Sequence, residues 1–116
     1  MQEPTFLILT ALAAQPRHGY GVIQDVAQLS NGRVTLRPGT LYGALDRLVE
    51  QGLAALDREE IVEGRLRRYY RLTDAGASVL REEAERLATN AEAAVARLRG
   101  RERGTRSRRP ALGDTG

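Results

Sequence analysis

The segment PGTLYGALDRLVEQG, residues 38–52, combines a clear helical pattern with glycine on one face. Pro38 suits the first position of a helix, and Gly52 suits the C-terminal cap. The apolar residues recur at helical spacing and form one core-facing stripe, which consists of Leu41, Leu45, Leu48 and Val49. Gly39 and Gly43 lie on the opposite face, although glycine costs a helix interior up to about 1 kcal/mol relative to alanine. This arrangement indicates that the surface of another molecule comes close to the helix backbone.

Two shorter helical segments precede this one. Pro4 fits a first helical turn, and the apolar run after it predicts a largely buried helix that stops before Pro16. A second helix is predicted within the segment HGYGVIQDVAQLSNG, and its apolar stripe consists of Ile23, Val26 and Ala27. The segment SNG at residues 30–32 breaks this helix, and residues 33–36 are expected to form a connector or a minor strand.

Residues 53–73 have the pattern of a β-hairpin. An Ile-Val pair precedes a turn at Glu63 and Gly64, and the segment RLRRYYRL follows the turn. Because side chains alternate along a strand, Tyr70 and Leu72 are expected to share the buried side.

A fourth helix is predicted to begin at Thr73 and Asp74, an N-cap residue followed by an acid in the first turn. Its apolar residues have the heptad spacing of a narrow seam, which consists of Leu80, Ala84, Leu87, Ala91, Ala94 and Leu98. The seam either packs on the chain's own domain or joins two copies of the chain. We favour a homodimer, because little folded chain remains for the seam to pack against.

The order of three helices, a hairpin and a further helix is that of a winged helix-turn-helix with a C-terminal extension. The expected fold class is mainly α with a small β-hairpin. We assign residues 1–72 to the winged helix-turn-helix domain and residues 73–99 to a long dimerisation helix. Residues 100–116 have few apolar side chains and many arginines and glycines, which predicts a disordered basic tail.

Positive charge is concentrated in two stretches of the chain. All 18 basic residues are arginine, and the net charge is +3. Four of the seven residues from Arg65 to Arg71 are arginine, as are seven of the thirteen from Arg97 to Arg109. Such clusters suggest a polyanionic partner. Because the chain has no cysteine and its N-terminal apolar run is too short for a membrane span, we expect a cytoplasmic protein without a membrane partner.

The sequence offers no set of residues for catalysis or for a metal site. His18 is the single histidine, and there is no cysteine for it to activate. The carboxylates are scattered over predicted helix surfaces, and no glycine-rich phosphate loop is present. We therefore expect no enzyme activity, no catalytic or metal-binding residue and no cofactor. His18 is expected to cap or pack the start of the second helix.

The glycine face of residues 38–52 fits double-stranded DNA. The major groove of B-DNA admits one α-helix, and glycines let the helix backbone approach phosphates and base edges. Thr40 and Tyr42 carry hydroxyl groups, and the guanidinium group of Arg47 can bind guanine or phosphate. Partial burial is the alternative for Tyr42, and a solvated sheet edge is the alternative for the hairpin arginines. Asp46 and Glu50 on the same helix weaken the case for DNA, because their carboxylates repel phosphate.

Three motifs make the chain resemble the PadR family of bacterial transcriptional regulators, in its short form. The motifs are HGYG at 18–21, PGTLYGALDRLVEQGL at 38–53 and GRLRRYYRLTDAG at 64–76. The resemblance implies a winged helix-turn-helix homodimer with one C-terminal dimerisation helix. It also implies that the third helix enters the major groove and that the hairpin, or wing, contacts the backbone or the minor groove. The DNA-binding residues on this view are Tyr20, Arg37, Gly39, Thr40, Tyr42, Gly43, Arg47, Arg65, Arg67 and Arg68.

Three positions depart from the family's pattern. Arg37 stands where a serine cap is common, so either the third helix begins less firmly or Arg37 contacts phosphate instead. Gly43 and Leu66 both stand where proline is frequent, which predicts a deeper groove approach at the first and a more mobile wing tip at the second. Family members usually repress nearby genes and release DNA when a small-molecule effector binds. Some hold planar drugs between tryptophans, and that mode does not carry over because this chain has no tryptophan.

The leading hypothesis is a homodimeric, sequence-specific DNA-binding transcriptional regulator, a ligand-responsive repressor on a palindromic operator. A winged-helix adaptor that binds protein through the seam and the wing is the alternative. A single-stranded nucleic-acid binder is a third hypothesis, and the chain lacks the aromatic stacking platform that it needs. A saturable shift of double-stranded DNA separates the first hypothesis from the second.

Overall fold

The computed structural model describes residues 1–115, with side chains described for residues 1–105. Three short helices are followed by a β-hairpin and one long helix, and a two-residue strand precedes the second helix. The elements are α1 (Glu3–Ala14), β1 (Arg17–His18), α2 (Gly19–Leu29), α3 (Pro38–Glu50), β2 (Ala54–Val62), β3 (Arg65–Leu72) and α4 (Asp74–Thr115). This architecture confirms the predicted fold class. No helix among the described residues is long and apolar enough to cross a membrane.

The apolar sides of α1, α2 and α3 meet in one core with the base of the sheet. Leu41, Leu45 and Leu48 of α3 are buried, as predicted. Val49, predicted to join them, is 40% exposed, and Ala44 is buried instead. Val49 lies about 100° around the helix from Leu48, so it falls at the edge of the stripe rather than at its centre.

α2 ends at the predicted break. Its contact with the core is made by Val22 and Val26, while the predicted Ile23 is only partly buried. The hydroxyl group of Ser30 donates to the carbonyl of Val26 at 2.9 Å and accepts the N–H of Val34 at 3.0 Å. These two hydrogen bonds hold the start of the turn that leads from α2 to α3.

The sheet has three antiparallel strands in the order β1, β3, β2. Glu63 and Gly64 form the predicted turn of the hairpin, and their φ angles of 53° and 77° suit a two-residue type I′ turn. A bulge between Leu56 and Arg58 adds one residue to β2. β1 escapes prediction because two residues carry no alternating pattern, and residues 33–36 form a connector rather than a strand.

The junction between β3 and α4 packs closely against the end of α3. Thr73 caps α4, as predicted, because its hydroxyl group accepts the N–H of Gly76 at 3.0 Å and donates to the carbonyl of Gly52 at 2.6 Å. A β-carbon at Gly76 would overlap the carbonyl oxygen of Leu53 and lie 2.8 Å from Cδ1 of Leu72. Glycine is therefore required at this position for steric reasons.

The chain divides into two compact units, Met1–Glu83 and Ala84–Gly116. The first unit is the winged helix-turn-helix together with the start of α4. It extends beyond the boundary expected at residue 72, because Leu80 packs against the core.

In the structure α4 does not end at residue 99 but continues to Thr115, and the assignment of residues 100–116 to a separate basic tail stays a prediction. A low apolar content prevents a segment from burying a core, yet it does not prevent a solvated helix. Arginine, the commonest residue of this stretch, has high helix propensity, whereas Gly100, Gly104 and Pro110 oppose a helix. Gly116, the last residue of the expected tail, lies outside the described residues.

Candidate nucleic-acid interface

The outward face of α3 is open at both predicted glycines. A β-carbon built on Gly39 has no neighbour within 4 Å. At Gly43 the one neighbour is Nη1 of Arg47 at 3.7 Å, which is an ordinary contact with a flexible, exposed side chain. An external surface can therefore reach the helix backbone at this face.

The N-terminal end of α3 is exposed beside the glycine face. Arg37 occupies the N-cap position, and its side chain makes no capping hydrogen bond. Its carbonyl oxygen accepts the N–H of Leu41 at 2.9 Å, which begins the helix. Thr40 in the first turn is exposed as well. First-turn N–H groups and the helix dipole together favour an anion at such an end.

Two tyrosines at the start of α2 and on α3 keep accessible surface. Tyr20 is 63% exposed. Tyr42 is 47% exposed, and its ring packs against Gly19, where a β-carbon would overlap the tyrosine hydroxyl oxygen. The structure shows the partial burial that was the alternative for Tyr42, while its contact with DNA stays a prediction.

His18 caps and packs the first turn of α2, as predicted. Its Nδ1 accepts the N–H of Gly21 at 3.3 Å. Its ring lies edge-on to Tyr69, with the ring centroids 5.3 Å apart. Burial lowers the pKa of His18, and the positive charge of Arg67 lowers it further. The neutral imidazole is the form that can accept the hydrogen bond from Gly21.

Carboxylates of β2 pair with part of the basic wing. Nε of Arg68 lies 3.3 Å from Oε2 of Glu59. Within β2, Arg58 lies 2.9 Å from Asp57 and 2.7 Å from Glu60, and its hydrogen bond lowers the pKa of Glu60. These pairs were not predicted. The pair of Glu59 and Arg68 could have been predicted from the strand register, in which the two residues lie opposite each other.

Four of the predicted DNA-binding arginines remain outside ion pairs. Among the described residues, no carboxylate lies within 4.0 Å of the guanidinium groups of Arg37, Arg47, Arg65 and Arg67. All four side chains are exposed, two on α3 or its cap and two on β3. They can therefore receive an anionic partner without breaking an existing pair.

A cleft of about 420 Å³ lies between the C-terminal half of α3 and the wing. Val49 and Leu56 form its apolar part, while Asp46, Glu50 and Glu59 contribute carboxylates. Because this side of α3 is acidic, a phosphate backbone is better accommodated at the N-terminal half of the helix.

The predicted dimerisation residues fall in both units. Leu80 packs against the core of the first unit. The other five are exposed along α4, and they are Ala84, Leu87, Ala91, Ala94 and Leu98. Leu87 is 41% and Leu98 57% exposed, and Val95, which lies outside the predicted seam, is 45% exposed. This row of apolar side chains is available to a second copy of the chain.

Comparison with known proteins identifies the family. Residues 8–82 match the family model described as Transcriptional regulator PadR-like family. Transcriptional regulator YqjI of Escherichia coli (strain K12) is 37% identical over 98 residues, which cover 84% of this chain and 45% of that protein. Transcriptional regulator Rv3488 of Mycobacterium tuberculosis is 40% identical over 76 residues, which cover 66% of this chain and 67% of that protein. This chain thus spans less than half the length of YqjI.

Solved structures share the fold. The PadR family transcriptional regulator from Eggerthella lenta superimposes with a TM-score of 0.65 at 30% identity, over 81% of this chain and 80% of that one. Bacillus subtilis PadR, solved in complex with operator DNA, superimposes with a TM-score of 0.64 at 20% identity, over 72% of this chain and 48% of that one. The second likeness concerns the fold alone.

These relatives are transcriptional regulators rather than enzymes. In the part of the chain that the structure describes, no three His, Asp or Glu side chains are grouped to hold a metal ion.

The matched residues 8–82 include α2, α3 and the whole hairpin. The chain therefore belongs to the PadR-like family of transcriptional regulators.

Proposed function

We propose that this protein is a sequence-specific DNA-binding transcriptional regulator that inserts α3 into the major groove. The observation that carries the proposal is the open face of α3, where Gly39 and Gly43 leave the backbone accessible. The family supports it, as does the fold shared with Bacillus subtilis PadR, which was solved with operator DNA. The proposed DNA-binding residues are Tyr20, Arg37, Gly39, Thr40, Tyr42, Gly43, Arg47, Arg65, Arg67 and Arg68.

These residues divide into base-reading and backbone-binding groups. Arg47 is the proposed base reader, because a guanidinium group can bind the O6 and N7 atoms of guanine together. The first-turn amides near Gly39 and Thr40 bind a phosphate. The hydroxyl groups of Tyr20 and Tyr42 donate to the same strand, since contacts of this kind position a protein on the duplex without reading its sequence.

The regulator acts as a homodimer on a palindromic operator. The exposed apolar row on α4 supports this part of the proposal, because Leu87 and Leu98 recur at heptad spacing and a second copy of the helix would remove them from water. A two-fold dimer would present its two α3 helices about 34 Å apart, one turn of the duplex. Analytical ultracentrifugation should then give twice the chain mass of 12.8 kDa.

We carry repression and release by a small-molecule effector into the proposal from the family resemblance. A reporter gene placed behind the bound site should be silenced by the protein if it represses. An effector should restore expression and weaken operator binding in the same concentration range. A reporter that rises with added regulator would replace repression by activation and leave the DNA-binding proposal intact.

The central experiment selects bound sites from random double-stranded DNA and measures affinity for the selected operator and for a random duplex. Arg47→Ala should reduce the operator preference, because a bidentate base contact is worth about 1–3 kcal/mol of discrimination. Arg65→Ala should weaken binding to both duplexes by the same factor, because a phosphate contact carries no sequence information.

Two results would contradict the proposal. If the wild-type protein shows no saturable binding to any duplex, it is not a DNA-binding regulator. If Arg47→Ala weakens operator and random DNA equally, Arg47 does not read bases and the orientation of α3 in the groove is wrong.

A further inference from the structure

The winged helix-turn-helix unit does not supply the positive charge of this chain. Residues 1–83 contain ten arginines and eleven acidic residues, which gives a net charge of −1. The whole chain has a net charge of +3. The excess of arginine therefore lies beyond residue 83, although α3 and the wing are the elements proposed to meet DNA.

One stretch of α4 carries this excess. Residues 97–109, defined here as the basic segment, contain seven arginines and one acid, Glu102. Its net charge is thus +6, and the rest of the chain, with eleven arginines and fourteen acids, has −3. The charge of the protein is separated along its length rather than mixed over its surface.

The side chains described in the basic segment are free to meet a partner. Arg97, Arg99, Arg101 and Arg103 are all exposed on α4. Among the described residues, no carboxylate lies within 4.0 Å of any of these four guanidinium groups. No carboxylate of the described residues neutralises their charge, in contrast to Arg68 of the wing, which pairs with Glu59.

The heptad seam ends where the basic segment begins. After Leu98, the next two seam positions are occupied by Arg101 and Thr105. A charged residue followed by a polar one does not continue an apolar contact between helices. Most of the basic segment therefore lies beyond the proposed dimer contact, and the row of apolar side chains does not account for its arginines.

We propose that the basic segment is a second DNA-binding surface, which contacts the phosphate backbone without sequence preference. The inference rests on the proposed function, because it takes DNA as the occupant. Charge complementarity supports DNA, since a duplex carries one negative charge per about 1.7 Å of its axis and arginine binds phosphate in a bidentate manner. The basic segment supplies attraction to the duplex, while α3 supplies the preference for one sequence.

The experiment replaces Arg97, Arg99, Arg101 and Arg103 together, with glutamine in one variant and with lysine in a matched control. Both replacements are good helix formers, and only the first removes charge. Affinity for the operator and for a random duplex is measured by fluorescence anisotropy at several salt concentrations. Sedimentation of each variant reports whether the dimer is retained.

The glutamine variant should bind both duplexes more weakly by the same factor, with the ratio of the two affinities unchanged. For the homodimer, the slope of log affinity against log salt should fall in magnitude by up to about 7.2, which is four phosphate contacts from each protomer at about 0.9 each. The lysine control should keep nearly the whole slope. A smaller variant, Arg101→Gln with Arg103→Gln, should show about half of the change in salt slope. It replaces the fourfold variant in the experiment if that variant does not fold.

Three other outcomes would overturn the inference. An unchanged salt slope in the glutamine variant, with operator binding intact, would reject the second surface and leave the proposed function standing. A loss of affinity for the operator alone, with affinity for the random duplex unchanged, would show that the basic segment contributes to sequence recognition and not to general attraction to DNA. Charge-dependent binding of the wild type to phosphatidylserine vesicles, without binding to random duplex, would assign the segment to a membrane surface. Failure of the wild type to bind any duplex would instead reject the proposed function itself.

Discussion

The ring of Tyr42 lies directly against Gly19, so closely that a β-carbon at position 19 would overlap the tyrosine hydroxyl oxygen and lie 2.7 Å from Cζ. The contact joins the first turn of α2 to the outward half of α3. Tyr42 keeps nearly half of its surface exposed, so the same side chain packs inside the protein and faces the proposed DNA. Its position depends on the absence of a side chain at Gly19.

Gly19→Ala should displace Tyr42 and weaken operator binding by about three- to tenfold, roughly the value of one hydrogen bond. It should also destabilise the fold by about 1–3 kcal/mol, as overpacking does. Gly21→Ala is the matched control, because a β-carbon there would meet its nearest neighbour, Nε2 of His18, at an ordinary 3.7 Å. Equal melting temperatures and equal operator affinities for the two variants would contradict the steric role of Gly19.

Gly76→Ala should destabilise the protein by about 3 kcal/mol and lower Tm by roughly 10 °C, because the new methyl group meets the carbonyl oxygen of Leu53. Backbone atoms cannot move aside as a side chain can. Gly104→Ala makes the same chemical change in open space and should leave Tm unchanged or slightly higher. Thermal unfolding followed by circular dichroism checks both, and an unchanged Tm in the first variant would rule out the predicted overlap.

Glu59→Gln should strengthen binding to operator and random DNA by a few fold. The substitution frees Arg68 from its ion pair, which is exposed and worth at most about 1 kcal/mol, and Arg68 can then contact phosphate. The salt slope of the homodimer should become steeper by about 1.8, the contribution of one added phosphate contact per protomer at about 0.9 each. Glu63→Gln removes the same charge from the wing turn without releasing an arginine, so its slope should match the wild type. A Glu59→Gln slope equal to that of the control would mean that Arg68 does not reach the duplex.

Acid should weaken the start of α2 through His18. The pKa of His18 in the folded protein is lowered, first by burial and then by the charge of Arg67. The unfolded chain therefore takes up a proton before the folded one as the pH falls. The stability that depends on neutral His18 is full above the ordinary pKa of about 6.5 and is lost as the pH drops through the lower folded value.

The measurement for this prediction is Tm between pH 7.5 and pH 5, the range that brackets the ordinary pKa of histidine. The wild-type protein should lose stability over this range. His18→Asn should lose less, because asparagine can cap the helix without titrating there. Parallel curves for the two proteins would show that the titration of His18 is not coupled to folding.

The open face of α3 could be predicted from the sequence because it depends only on helical period. A turn of about 100° per residue places Gly39 and Gly43 opposite the buried Leu41 and Leu45, and the structure shows no chain segment over them. The cap at Thr73 and the hairpin turn at 63–64 are equally local, since each depends on residues within a few positions.

Gly19 and Gly76 could not be recognised in the same way. The side chain or carbonyl that each must avoid belongs to Tyr42 and Leu53, in each case 23 positions away along the chain. Nothing in the neighbouring sequence distinguishes these glycines from those at turns. Long-range packing determines their role, and only the folded chain reveals it.

The length of α4 in the structure differs from the expected helix for a different reason. Low apolar content was used to predict disorder from residue 100, although that criterion concerns burial and not local helix propensity. The helix continues through Gly100 to Thr115. The pairing of Glu59 with Arg68 was missed because it needs the strand register, which the bulge between Leu56 and Arg58 shifts by one residue.

β1 consists of two residues, yet it joins the sheet to the start of α2. His18 pairs with Tyr69 across the sheet and also closes the first turn of α2. This residue therefore links β3, the strand that leads out of the wing turn, to the helix turn that holds Gly19 against Tyr42. A change at His18 thus reaches both the sheet and the contact between α2 and α3.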